Sequence, residues 1–260
     1  MTFYREIGFS VGESMPIPAA EMQTLGLAGA GSRISASLGP NRVDLDVFSK
    51  PGCPYPEDAD ACSLIFQHLA LVTDDAKIAW NRAREAGAVA ISRDGPITLP
   101  KSSGGVTAVK FRDPDGHPLE FLQFPPGAYP SWKGKGILGI DHSAISVRDI
   151  AASQHFYARQ GLRAVDATLN NGPTQDALDG LDDVDVDVVP MNPADKPPHV
   201  ELLGYRHPVD VTSRPMSPND VAATRIVWQS SHDALLRDPD GHLHELSRED
   251  RLRAGIASPP

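Results

Sequence analysis

The chain has 260 residues, enough for one large domain or two small ones, and it carries 24 Lys and Arg against 34 Asp and Glu, a formal net charge of −10. This acidic balance argues against a nucleic-acid or anionic-membrane partner, because binding phosphates requires a basic surface. Two cysteines, Cys53 and Cys62, are too few for a disulfide-framed secreted domain. No apolar run is long enough to cross a bilayer, and the first residues lack the regions of a signal peptide, so we expect a cytoplasmic protein.

The first segment, residues 1–50, begins inside a helix rather than with a strand. Its later part, RVDLDVF (42–48), alternates as a strand does. A sheet module without its first strand leaves an unpaired edge. We therefore expect either an initiation site upstream of Met1 or a lengthened chain that is more soluble.

The second segment, residues 63–125, predicts a strand at QHLALV, a helix from Asp74 to about Ala86, and a stop at Gly87. Three strands follow. The last two flank Asp-Pro-Asp-Gly, in which proline sets φ and glycine takes the left-handed position of a tight turn. FRDPDGHPLEF therefore predicts a hairpin that closes the segment.

The third segment, residues 138–207, is the most regular. HSAISV (142–147) alternates as a strand, Asp149 caps a helix that continues through Tyr157, and Gly161 ends it. RAVDATL, VDVDVV and HVELLGY predict three more strands. A strand, a crossing helix and three returning strands make a βαβββ module.

The fourth segment, residues 220–248, runs from RIVWQ (225–229) almost directly to LLRDPDG, so its helix is missing or reduced to a turn. Pro-rich stretches at 50–57 and 125–132 indicate linkers between modules.

Two of these segments end in matching sequences, FRDPDGHPLEFLQF (111–124) and LRDPDGHLHELSR (236–248), at an offset of 125 residues. The repeat predicts a first two-module half at 1–125, a linker at 126–137, a second half at 138–250 and a tail at 251–260. The predicted fold class is α+β. Four βαβββ modules, the first and last truncated, would form two cupped mixed β-sheets with flanking helices.

HSAISVRDIAASQHFYARQGL resembles the opening of a glyoxalase-type module, and RDPDGHPLEF and RDPDGHLHEL resemble the closing strands of such modules. The family is the vicinal oxygen chelate superfamily of glyoxalases, bleomycin resistance proteins and extradiol dioxygenases. The resemblance implies metal ligands at the start of the first strand and in the last strand of each module. The positions that match are His68 and Glu120 in module two, His142 and Glu201 in module three, Glu245 in module four with Thr224 in place of a first-strand histidine, and Asp44 in module one.

The residues support the metal independently of the resemblance. Glu120, Glu201 and Glu245 each lie in an apolar strand, where a carboxylate is costly to bury unless it is paired or bound to a cation. Imidazole and carboxylate ligands suit one divalent ion, Fe, Zn, Ni or Mn. One of these three glutamates would act as the catalytic base, and Asn170 and Gln175 are polar residues available to a substrate.

Two pairings of modules stay open. If modules pair in chain order, His142, Glu201 and Glu245 share one cup, and the copied ends of the two halves favour this scheme. If modules two and three pair, His68, Glu120, His142 and Glu201 form a complete set of two histidines and two carboxylates. The sequence favours chain order.

Three functions are compatible with these patterns. The first is a metal-dependent lyase or isomerase that acts on a small oxygenated metabolite, with a carboxylate moving a proton. The second is an iron-dependent extradiol-type dioxygenase, and the third is a non-catalytic protein that sequesters a small molecule such as an antibiotic. The expected partner is a small-molecule substrate, with a homodimer as a further expectation.

Overall fold

The protein is represented by a computed structural model that describes residues 1–129, 131–194, 198–212 and 214–248. The predicted tail at 251–260 and the last two residues of the second half lie outside the described residues, as does Pro130 in the predicted linker.

Module one lacks its first strand, as predicted. Its elements are α1 (Thr2–Glu6), β1 (Ser10–Pro16), α2 (Ala19–Thr24), β2 (Gly31–Leu38) and β3 (Asn41–Phe48). The three strands form an antiparallel sheet in the order β1-β2-β3.

Module two has the predicted strand, helix and closing hairpin. Its elements are β4 (Gln67–Thr73), α3 (Ala76–Glu85), β5 (Val89–Ala90), β6 (Ile97–Thr98), β7 (Thr107–Arg112) and β8 (Pro118–Gln123). The helix begins two residues later than predicted because Asp75 is its N-cap, accepting a 2.9 Å hydrogen bond from the backbone N–H of Ile78. Gly87, with φ of 101°, ends it in the left-handed region.

Module three follows the same plan with one added helix. Its elements are β9 (Ile137–Ser146), α4 (Ile150–Arg159), β10 (Arg163–Ala164), β11 (Thr168–Asn171), α5 (Pro173–Asp179), β12 (Asp185–Asn192) and β13 (His199–His207). Asp149 caps α4 as predicted, through the N–H of Ala152. The predicted strand RAVDATL is split into β10 and β11.

Module four contains β14 (Arg225–Ser230), β15 (Ala234–Arg237) and β16 (Leu243–Arg248). No helix lies between β14 and β15, as the sequence predicted. Strand β16 is central, parallel to β14 and antiparallel to β15.

The sheets do not pair in chain order. Strand β4 of module two pairs antiparallel with β9 of module three, and this seam lies in the middle of a ten-stranded sheet whose main path runs β10-β12-β13-β9-β4-β8-β7-β5. We call its concave face, built by modules two and three, the first cup. Modules one and four meet where Arg225 of β14 forms an ion pair with Asp46 of β3. We call the region around this ion pair the second cup. The preferred chain-order pairing is therefore wrong for the sheets.

The helices nevertheless pack in chain order. Phe3 and Tyr4 of α1 lie in one core with Trp80 and Phe111 of module two. Tyr157 of α4 lies in another core, against which Trp228 of module four packs. The predicted α+β class of four βαβββ modules with flanking helices is confirmed. Within the described ranges, none of the helices is long and apolar enough to span a membrane.

Candidate metal centre

The first pair of candidate ligands comes from two parallel strands of module two. Ala70 of β4 lies opposite Glu120 of β8, which places His68, two residues earlier on β4, on the same face as the glutamate. The Nε2 atom of His68 lies 3.1 Å from Oε2 of Glu120. Both side chains are buried, so the carboxylate points into the cup as the apolar strand predicted.

The second pair comes from module three across the seam. The Nε2 atom of His142 lies 3.6 Å from Oε2 of Glu120 and 3.5 Å from Oε2 of Glu201. The opposite ring nitrogen, Nδ1, is 2.9 Å from the carboxylate of Asp141, which orients the imidazole with Nε2 facing the glutamates. The seam thus brings together His68, Glu120, His142 and Glu201.

Electrostatics at this cluster favour a positive charge between the carboxylates. Burial lowers the pKa of His142, but Glu201, Asp141 and Glu120 outweigh burial and hold its pKa well above the usual range. Burial raises the pKa of Glu120, yet His142 and His68 hold it well below its usual range. Burial lowers the pKa of His68, and Glu120 offsets that effect only in part.

The donor set fits a divalent metal ion. Single ligand atoms of His68, Glu120 and His142 all lie within 4.8 Å of one another, and all three residues are buried. Nε2 of His142 is buried without a hydrogen-bond partner among the described residues, and it faces two carboxylates. Imidazole nitrogens with carboxylate oxygens are ligands of zinc, iron, nickel and manganese. An orphaned nitrogen aimed at two carboxylates is what a site for such an ion requires.

Comparison with known proteins gives one matching family and several similar folds. A family model described as the Glyoxalase/Bleomycin resistance protein/Dioxygenase superfamily matches residues 1–121. Glyoxalase I from Zea mays has a similar fold, with a TM-score of 0.58 and 16% identity over 97% of this chain and 89% of that chain. Residues 1–121, just under half of the chain, thus match the superfamily that the motifs resemble, and the whole chain has a fold similar to that of glyoxalase I.

A second vicinal oxygen chelate fold with whole-chain similarity is a protein described as a dioxygenase from Bacillus subtilis subsp. subtilis str. 168. Its TM-score is 0.55, with 12% identity over 95% of this chain and 79% of that chain. At these identities the likeness shows the fold alone. No curated protein sequence matches the chain.

Glu245 does not join the candidate metal cluster of the first cup. It lies on β16 in the second cup, where its Oε2 is 3.4 Å from Nε of Arg225. Burial raises the pKa of Glu245, and nearby Glu21 adds to this effect. Asp44, offered by module one, lies in the same cup and accepts a 2.6 Å hydrogen bond from Ser35. The expectation that Glu245 shares a site with His142 and Glu201 is wrong because its strand belongs to a different sheet.

Two residues beside the cluster escaped the sequence analysis. Nε2 of His199 lies 3.5 Å from Oε1 of Glu201, and its ring centroid is 5.2 Å from that of His142. Strand alternation could have found it, because His199 and Glu201 are two residues apart on β13 and share a face. Asp141 precedes His142 directly and had no pattern that marked it.

A buried ion pair lies next to the cluster. Lys110 of β7 is directly opposite Glu120 on the same face of the sheet, and its Nζ is 2.6 Å from Oδ1 of Asp179 on α5. Asp179 also accepts hydrogen bonds from Gln175 at 2.8 Å and from Tyr205 at 2.9 Å. These contacts attach α5 of module three to strand β7 of module two.

The two candidate substrate residues lie on this side of module three. Oε1 of Gln175 is buried without a hydrogen-bond partner among the described residues. Asn170 is buried at the end of β11, where its Oδ1 accepts a 3.1 Å hydrogen bond from Thr168. A role in substrate binding stays a proposal for both residues.

Proposed function

We propose that the chain is a metal-dependent lyase or isomerase that acts on a small oxygenated metabolite in the first cup. The observation that carries this proposal is the convergence of two imidazoles and two carboxylates at the seam between β4 and β9. Modules two and three each supply one histidine and one glutamate, so neither module is sufficient alone.

The four side chains divide into holding and proton-moving roles. His68, His142 and Glu120 would hold a divalent ion, which when bound supplies Lewis-acid polarisation of two adjacent substrate oxygens. Glu120 is the less suitable base because its carboxylate lies close to both histidines of the cluster.

Glu201 is the better candidate for the base. Its side chain is 19% exposed, against 7% for Glu120, so it is the carboxylate that a molecule entering the cup reaches first. A general base must reach the proton that it removes. Glu201 would therefore take a proton from the carbon beside a substrate carbonyl and return it to a neighbouring atom, with His199 holding the other carboxylate oxygen in place.

The test is proton exchange on model substrates. Purified protein loaded with Zn²⁺, Ni²⁺, Mn²⁺ or Fe²⁺ would be incubated in D₂O with small α-hydroxy aldehydes and ketones, and proton NMR would follow deuterium uptake at the carbon beside the carbonyl. We expect uptake with wild type, loss of at least about 100-fold in Glu201→Gln, and no loss in Glu245→Gln, which lies in the other cup. Equal rates in wild type and Glu201→Gln would contradict the proposal.

A second candidate is an iron-dependent dioxygenase. The group His68, Glu120 and His142 has the two-histidine, one-carboxylate donor set of non-haem iron oxygenases. The pairing of β4 with β9 supports this candidate, because it brings both histidines to one cluster. Oxygen uptake with catechols in the presence of Fe(II), without deuterium exchange, would favour the dioxygenase.

The third candidate, a sequestering protein, differs in its need for metal. Small-molecule binding that is equally tight before and after removal of metal by a chelator would favour it.

In every case we propose a cytoplasmic protein whose partner is a small molecule. A homodimer is also proposed, because the three-stranded sheets of the truncated modules one and four have edges with which a second chain could pair, and light scattering would measure it.

A further inference from the structure

In the second cup, Arg225 lies at the strand position where the first cup has its histidines. On β4 the partner of Glu120 is Ala70, and His68 lies two residues before it. On β14 the partner of Glu245 is Val227, and Arg225 lies two residues before it.

Module three repeats the relationship, since Glu201 lies opposite Ala144 and His142 is two residues before that alanine. Arg225 is thus the equivalent of His68 and His142. The expectation that Thr224 occupies this position is off by one residue, which on a strand means the opposite face.

Arg225 connects the two modules of its cup. Its guanidinium forms an ion pair with Asp46 of module one and lies 3.4 Å from Glu245 of module four. It also donates a 2.9 Å hydrogen bond to the backbone oxygen of Pro218. The side chain of Arg225 is 11% exposed, and those of its two acidic partners are 7% and 5% exposed, so this contact is nearly dry.

Two further carboxylates of the second cup, Glu21 and Asp44, also have arginine partners, and Asp46 has a second one. Arg33 lies 2.7 Å from Asp46 and 2.6 Å from Glu21, and Arg42 lies 3.1 Å from Asp44. The first cup differs in its cations, because Glu120 and Glu201 face imidazoles of histidines there and not a guanidinium.

We infer that the second cup is a metal-independent counterpart of the metal centre, in which the guanidinium of Arg225 is the cation that bridges the two modules. In the first cup, the candidate ligands lie on both sides of the seam, and a metal ion would join them. In the second cup, a cation fixed to the chain joins Asp46 to Glu245. The chain would therefore hold one metal ion, in the first cup, and the second cup would hold the truncated modules one and four together.

The experiment first removes the guanidinium of Arg225. A second arm places an imidazole at the same position. Arg225→Met should keep one equivalent of metal per chain, measured by plasma mass spectrometry, while its Tm falls by on the order of 10 °C, because buried Glu245 loses its cation and Asp46 keeps only Arg33. Added metal should not restore that Tm. Arg225→Lys keeps the charge and should lose less, and it also serves as the test if the methionine variant does not fold.

A second arm asks whether position 225 is a ligand position. His68→Ala should abolish metal binding, and His68→Ala combined with Arg225→His should bind one equivalent of Co²⁺ or Zn²⁺ again, with a metal-dependent rise in Tm. The inference would be overturned by a second equivalent of metal in wild type that survives His68→Ala, or by a lysine variant no more stable than the methionine variant. A double variant without a metal-dependent rise in Tm would overturn the ligand equivalence of Arg225. None of these outcomes depends on which reaction the first cup catalyses.

Discussion

The hydroxyl of Tyr4 donates a 2.9 Å hydrogen bond to Asp113, which lies 109 residues later in the closing turn of module two. Tyr157 makes the equivalent 3.1 Å bond to Asp238 in the closing turn of module four. Each bond ties the helix of one module to the Asp-Pro-Asp-Gly turn of the next. Neighbours in the chain are thus joined through helices and turns, although their sheets pair otherwise.

These two bonds predict matched losses of stability. Tyr4→Phe and Tyr157→Phe should each lower the free energy of unfolding by about 2 kcal/mol, since each removes a hydrogen bond to a buried carboxylate. The losses should add in the double variant, because the two turns are separate. Tyr129→Phe, at an exposed position, is the control and should change little in urea unfolding. A negligible change in both buried variants would show that these bonds are unimportant.

Metal stoichiometry should distinguish the two cups. His68→Ala should lose the bound ion, because it removes one of the buried ligand atoms of the cluster. Glu245→Gln should retain it, because that side chain lies beside Arg225 in the second cup. Plasma mass spectrometry after gel filtration measures both. Loss of metal in the Glu245 variant with retention in the His68 variant would restore the chain-order scheme.

The pair between Lys110 and Asp179 predicts a non-additive result. Lys110→Met alone should lower the free energy of unfolding by about 3–5 kcal/mol, because it leaves a carboxylate buried without its cation. Combining it with Asp179→Asn should recover part of that loss, since the charge is then gone. Arg206→Met breaks a surface pair with Asp187 and should change the free energy of unfolding little. A double variant as unstable as the sum of the single ones would refute the coupling.

His244 predicts a loss of stability in mild acid. Burial lowers its pKa to about 4, and its ring is neutral in the fold because Trp228 donates to Nδ1 and the other nitrogen faces the hydroxyl of Tyr157. The unfolded state binds a proton near pH 6.5, so this contribution is complete above that pH and is lost as the pH falls towards 4. The loss amounts to about 3 kcal/mol.

Urea unfolding between pH 7 and 4 measures this contribution, with His244→Phe as the comparison. The phenylalanine variant should have a shallower dependence of unfolding free energy on pH across this window. Parallel curves for the two proteins would mean that His244 does not titrate on unfolding.

Most strands and helices followed from the sequence alone. Alternation, helix caps such as Asp149 and the Asp-Pro-Asp-Gly turns act over a few residues, so their effects are legible in the chain. The α+β class and the missing elements of modules one and four followed from the same local patterns, whereas the family was indicated by a resemblance of the motifs. The candidate ligands His68, Glu120, His142 and Glu201 were also marked in advance.

Which of those ligands meet was decided only by the tertiary structure. Glu120 and Glu245 follow nearly the same sequence, RDPDGHPLE and RDPDGHLHE, yet one faces two histidines and the other an arginine. Part of the difference is in the sequence, because β14 carries Arg225 at the position where β4 carries His68. The contact between Glu120 and His142 comes from the strand edge that module two pairs with. Edge pairing depends on hydrogen bonds between residues about 75 positions apart, such as Gln67 with Ile145, and no local pattern encodes that choice.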